Sequence, residues 1–160
     1  MSEKLEDKWP SVHWAYEFVK PSYEWIQNRL DAVNARIEFL LTFSSSVTLA
    51  VPIVVKVLFP DVDFGSLWFM SAMCMFLFTA VVGILGRIYG GLKLVSLQKL
   101  YNEWLNYSEW EFKKNAIYFA GEHFTYNNSQ INRKANFTII MSVLLVLEVA
   151  FIVIWVAGLK

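Results

Sequence analysis

The chain has 160 residues, 56% of them hydrophobic and only 18% charged, with 14 basic residues against 14 acidic ones. About a quarter of an ordinary soluble domain is charged, so this chain is depleted, and its zero net charge excludes a nucleic-acid polymer bound by phosphate neutralisation. The lone Cys74 excludes an intrachain disulfide, and the widely separated His13 and His123 exclude a His-x-x-x-His metal pair.

Residues 1–38 carry Lys4, Lys8, Lys20, Arg29 and Arg36 together with Trp9, Trp14 and Trp25. They lack the short apolar core and small-residue cleavage site of a signal peptide, so the first span is expected to direct insertion. Pro10 and Ser11 open a short aromatic stretch, Trp14, Tyr16 and Phe18. That stretch suits either the membrane headgroups or a neighbouring cytoplasmic helix. Ser22 follows Pro21 as an N-cap candidate, and Ile26, Leu30, Val33, Ile37 and Leu40 then recur at spacings of 4, 3, 4 and 3. This is the stripe of a packed helix running into the first apolar segment.

Three segments are long enough to span a bilayer, which takes about 20 residues: 39–59, 66–88 and 137–158. A soluble bundle would interrupt them with polar residues at helical period. The first carries Ser44, Ser45, Ser46 and Thr48, then Pro52, which leaves the carbonyl of Thr48 without its usual amide partner. Small hydroxyl residues of this kind favour close helix packing and bonds across an interface. Lys56 lies near the outer end of that span, where its long stem can snorkel to the headgroups. The second segment offers Ser71, Ala72, Thr79, Ala80, Gly83 and Gly86 as a packing face. The third contains Glu148 at its twelfth position, about 16 Å into the hydrocarbon. A charge there costs at least about 2.5–3.5 kcal/mol on insertion scales. Either the carboxyl bonds to hydroxyls of the first span, or a ring of such side chains lines a cation or proton path in an oligomer.

Between the second and third spans, 89–136 reads as a cytoplasmic helical hairpin. Gly90 and Gly91 form a hinge or a close packing point. Leu97, Leu100, Tyr101, Trp104 and Leu105 make one helical stripe, and Phe112, Ala116, Phe119, Ala120 and Phe124 a second. These stripes read as core. Ser108 and Glu111 have the spacing of a capping box between the two helices. The polar run from Gly121 to Asn136 is either a solvated connection or part of a contact surface. In the second case Lys113, Lys114, Tyr126, Asn127, Asn132, Arg133 and Lys134 would meet an anionic nucleotide or a lipid headgroup. Glu122 and His123 are sequence neighbours on different helix faces, and P-loop, G-x-G-x-x-G and G-x-S-x-G patterns are absent, so no enzyme, cofactor or metal is expected.

Twelve of the 14 basic residues fall before the first span or between the inner end of the second and the third. The positive-inside rule then places the N-terminus in the cytoplasm and the C-terminus outside. Acidic Asp61 and Asp63 in the outer turn agree, as do Trp68 and Trp155 near outer span ends. Asn-x-Ser/Thr triplets at Asn106, Asn127 and Asn136 face the cytoplasm in this topology and stay unmodified.

An Arg-containing helix, Asp31-Ala-Val-Asn-Ala-Arg36-Ile-Glu-Phe-Leu-Leu41, feeds the first span, and Phe124-Thr-Tyr-Asn127-Asn-Ser-Gln-Ile-Asn132-Arg-Lys134-Ala precedes the last. With the tight hairpin and the cytoplasmic helical pair, this layout resembles the small transmembrane effectors of prokaryotic antiphage systems, the SLATT-type and Pycsar-type membrane proteins. A third span departs from their common two-span layout. The resemblance implies an effector that oligomerises and permeabilises the inner membrane, sometimes after a cyclic-nucleotide signal. The resulting expectation is an all-α integral membrane protein with three transmembrane helices. It would self-associate into a pore gated by its cytoplasmic helices, the alternative being a non-conducting scaffold that docks a cytoplasmic protein. A three-helix bundle has no lumen, so conduction would require a homo-oligomer.

Overall fold

The computed structural model describes residues 10–159, except for the side chains of Leu97 and Lys99. Lys4, Lys8, Trp9 and Lys160, and the part assigned to Leu97 in its stripe, therefore lie outside the described residues. All regular structure among the described residues is helical. In chain order it comprises α1 (Val12–Val19), α2 (Ser22–Leu58), α3 (Leu67–Ile88), α4 (Leu97–Asn102), a 3-10 turn (Trp104–Asn106) and α5 (Glu109–Ala157). Three helical stretches, Val12–Leu58, Leu67–Ile88 and Glu109–Ala157, are long and apolar enough to cross a membrane.

The chain forms two compact units. A span unit comprises Asp31–Gly90 and Asn132–Lys160, and an aromatic unit comprises Met1–Leu30 and Gly91–Ile131.

In the span unit, α2 keeps its 4-3 stripe, and Val33 and Ile37 are buried. Pro52 lies inside α2 without ending it, and the helix continues to Leu58. Lys56 closes the end of α2 by donating to the Pro60 carbonyl, its ammonium 5.9 Å from the centre of the Phe64 ring. The turn to α3 is held by the Gly65 amide, which donates to Asp63 Oδ1 at 2.7 Å. Ser66 Oγ then accepts the Phe69 amide at 3.3 Å, as an N-cap should. At the other end Gly90 has φ of 84°, the left-handed conformation that glycine adopts without penalty, and the chain leaves the helix there.

The second segment's small residues are packed inside this one chain. A Cβ on Gly83 would lie 2.6 Å from Leu41 Cδ2 and 2.9 Å from Met141 Cε. A Cβ on Gly86 would lie 3.0 Å from Phe137 Cβ and 3.3 Å from Ile37 Cδ1. Glycine at both positions lets α3 approach α2 and α5 together. Only 17%, 22% and 22% of the three most apolar windows is buried, so the outward faces of all three helices are hydrocarbon.

In the aromatic unit, Trp104 is buried with its ring centre 5.6 Å from Phe112 and 5.4 Å from Phe119. Tyr16 of α1 meets Phe112 at 6.3 Å, and Trp25 stacks on Phe124 at 5.5 Å. The capping box is formed: the Ser108 amide donates to Glu111 Oε2 at 3.1 Å, and the Glu111 amide donates to Ser108 Oγ at 3.3 Å.

Several details differ from the sequence expectation. Ser22 is the first helical residue rather than the cap, since the Trp25 amide bonds to the Pro21 carbonyl at 3.0 Å. The hairpin's first arm shrinks to α4 and a 3-10 turn, because residues 90–96 are irregular. The α-helical period stops at Asn102, which leaves Tyr101 and Leu105 exposed instead of in the core. No break separates hairpin from span at residue 136, because α5 runs unbroken from Glu109 to Ala157. The polar run contains no proline and only Gly121, so it has nothing to interrupt a helix. Trp155 is buried among Phe64 and Phe69, its indole N–H donating to the Asp63 carbonyl at 3.4 Å, whereas Trp68 is exposed.

Candidate functional site

The most unusual chemistry of the span unit is a carboxyl with no access to solvent. Glu148 has 0% exposure. Ser44 and Thr48, one turn apart on a single face of α2, both point at it. Ser44 Oγ donates to Glu148 Oε2 at 2.5 Å, and Thr48 Oγ1 donates to Oε1 at 2.5 Å. Each carboxyl oxygen thus receives one hydroxyl, the satisfaction a polar group needs away from water. The contact crosses from α2 to α5, so it also sets their register.

The neighbouring hydroxyls do not join it. Ser46 is exposed and donates to the Thr42 carbonyl at 2.7 Å, its own helix's backbone. Ser45 is half-buried, and no bond links it to Glu148. Lys56 is engaged at the Pro60 carbonyl and does not reach the carboxyl. Pro52 follows Thr48 by one turn, so the turn that carries half the clasp also lacks one backbone hydrogen bond.

Of the seven candidate ligand contacts, four lie in the aromatic unit and three in the span unit. In the aromatic unit Lys113 bonds Glu109 at 2.5 Å and His13 Nδ1 at 2.9 Å, while Lys114 lies 5.4 Å from the Trp110 ring centre. The bond to Lys113 holds the exposed Glu109 carboxyl below its usual range. The Tyr126 ring is covered by the Lys93 ammonium at 4.2 Å. Asn127 is 1% exposed, its Oδ1 accepts the Lys93 amide at 2.7 Å, and its Nδ2 donates to the Lys93 carbonyl at 2.9 Å. Its side-chain amide pins the irregular segment onto α5.

In the span unit Asn132 and Arg133 are exposed, and Arg133 donates to the Tyr89 hydroxyl at 3.4 Å. Lys134 is 3% exposed and donates to the Arg87 carbonyl at 3.2 Å, among the last carbonyls of α3. Burial first, and then the Arg87 guanidinium, hold the Lys134 ammonium below its ordinary value. Arg87 in turn pairs with Glu38.

Sequence patterns missed several partners. Tyr23 shares a 2.9 Å hydrogen bond with His123 Nδ1, and burial pushes the Tyr23 phenol up. Arg29 donates to Asn128. These contacts join residues about a hundred positions apart, with no local signal. The aromatic unit also has an open pocket of about 220 Å³ lined by Tyr16, Val19, Tyr23, Val95, Trp104 and Phe112.

Comparison with protein-family models, curated proteins and solved structures returns no match.

Proposed function

We propose that the protein is an integral membrane protein whose span unit is a non-conducting anchor and whose aromatic unit docks a cytoplasmic protein partner. The observation that carries this reading is Glu148. Its carboxyl is enclosed by its own chain and engaged by Ser44 and Thr48, so the polar group a conduction path would need is turned away from the outer face. Three further span hydroxyls satisfy their own backbones: Ser46 bonds Thr42, Thr79 bonds Met75 and Ser142 bonds Thr138. What the span unit offers its surroundings is hydrocarbon, as in Leu49, Ile53, Val57 and Val146. In the aromatic unit, Tyr16 packs inward while Trp14 and Phe18, one turn apart on α1, are 76% and 84% exposed. A paired aromatic face of this kind suits a protein partner. The distribution of basic residues supports an N-terminus in the cytoplasm and a C-terminus outside.

One observation favours a second reading, the pore-forming effector implied by the antiphage resemblance. Pro52 weakens α2 one turn from Thr48, so the Ser44–Thr48–Glu148 clasp sits beside the helix's softest point. Opening there in a homo-oligomer would expose the three polar groups to a shared axis. Reconstitution separates the readings. Liposomes holding the protein should retain potassium and a small dye as well as empty liposomes do. Release that changes with Glu148→Gln would overturn the anchor reading in favour of the pore.

A further inference from the structure

We propose that the end of α3 carries a binding site for one anionic phosphodiester headgroup, built from Arg87, Arg133 and Lys134. The inference rests on the membrane reading above, but not on the choice between anchor and pore. Its starting point is a charge imbalance. The Lys134 ammonium is buried and bonded only to the Arg87 carbonyl, with no carboxylate within 4 Å among the described residues. A lysine at a helix C-terminus gains from the macrodipole, but one carbonyl uses only one of its three N–H groups. The adjacent Arg87 side chain brings a second positive charge, and Glu38 neutralises that one. The pair is left with one positive charge to be matched. The guanidinium of Arg133, exposed and held against Tyr89, adds donors on the outer side.

The surroundings select the kind of anion. Three and two residues before Arg87 on α3, Ile84 and Leu85 are exposed at 55% and 53%, and Ile88 follows it at 78%. Tyr89 and Phe137 form a ring contact with centres 5.7 Å apart beside the charges. A phosphate seated on the guanidinium groups would therefore continue into acyl chains lying on Ile84 and Ile88. Free phosphate shares the headgroup chemistry and would leave that apolar strip unused. A zwitterionic headgroup brings its own ammonium into a site that already has a surplus of positive charge, so phosphatidylglycerol is favoured over phosphatidylcholine.

The test uses the full chain in detergent micelles with added phosphatidylglycerol, phosphatidylcholine or inorganic phosphate, and counts retained lipid by native mass spectrometry. Wild type should prefer phosphatidylglycerol by about fivefold, the factor for roughly 1 kcal/mol per basic residue at an anionic surface. Lys134→Met and Arg87→Gln should each bring the preference close to one, Lys134→Arg should keep it, and Glu38→Gln should raise it. Arg87 is exposed, so its variant folds even where a Lys134 variant does not. Equal retention of the two lipids by wild type would overturn the site. So would a preference untouched by Arg87→Gln, or displacement of the lipid by inorganic phosphate at equal concentration. Alkaline carbonate extraction of the protein from cell membranes would instead overturn the membrane reading, separately from the lipid preference.

Discussion

Two hydroxyls and a carboxyl illustrate how little energy a buried polar contact needs to carry in order to specify a packing. Hydrogen bonds between membrane helices are worth about 0.6 kcal/mol on average, because the separated helices find other partners. Ser44 and Thr48 have such partners in the carbonyls of their own helix. Ser44→Ala and Thr48→Val should therefore each lower bundle stability by only about 0.6 kcal/mol in a steric-trap unfolding measurement. A loss several times larger would mean that the carboxyl has no alternative satisfaction. Lys134 behaves differently, because its cost is electrostatic. Its pKa in the folded protein is depressed below the ordinary 10.5, so the unfolded chain binds more protons in the interval between the two values. Stability should be flat below the folded pKa, rise with pH between that value and 10.5, and level off above 10.5. Unfolding free energies measured against pH will show that slope in wild type and lose it in Lys134→Met.

At the scale of elements, the irregular segment before α4 and the glycine face of α3 are controlled by single residues. Asn127 satisfies both backbone groups of Lys93, which would otherwise stand unpaired in a part-buried segment. Losing both bonds in Asn127→Ala should cost about 2 kcal/mol. Hydrogen exchange at the Lys93 amide should quicken about 30-fold, the equivalent of that energy. Gly83→Leu should lower stability by about 1–3 kcal/mol or more, since even its Cβ would press on Leu41 and Met141. Thermal unfolding in nanodiscs checks this, and an unchanged midpoint would mean that α3 can move away. The elements were unequally legible in sequence. The 4-3 stripe through Ile26, Val33 and Ile37 and the capping box at Ser108 are local signals and read correctly. The α4 arm did not: Tyr101 and Leu105 fit an α-helical period, but a 3-10 turn after Asn102 ended that period. The role of Asn127 was hidden because its partner lies 34 residues away.

For the whole molecule, apolar run length and charge placement made three membrane-length helices readable, since both are properties of long windows. Glu148 stood out for the same reason, as the one carboxylate inside an otherwise apolar window. Its partners could be narrowed to four hydroxyls on one segment, and choosing Ser44 and Thr48 required the helix phase that only folding sets. For Lys113, Tyr126 and Asn127 the sequence shows polarity alone, and their intrachain contacts with Glu109 and Lys93 emerge only in the fold. The clasp has one more consequence, which concerns the order in which the protein is made. Ser44 and Thr48 leave the ribosome 104 and 100 residues ahead of their acceptor. In the membrane reading, the first two spans would enter the bilayer while those hydroxyls are turned back on their own helix. The last span would then arrive with a carboxyl it is poorly suited to carry alone, and dock onto hydroxyls already in place. Translation would thus present the two donors before their acceptor, which places the hardest step of insertion last.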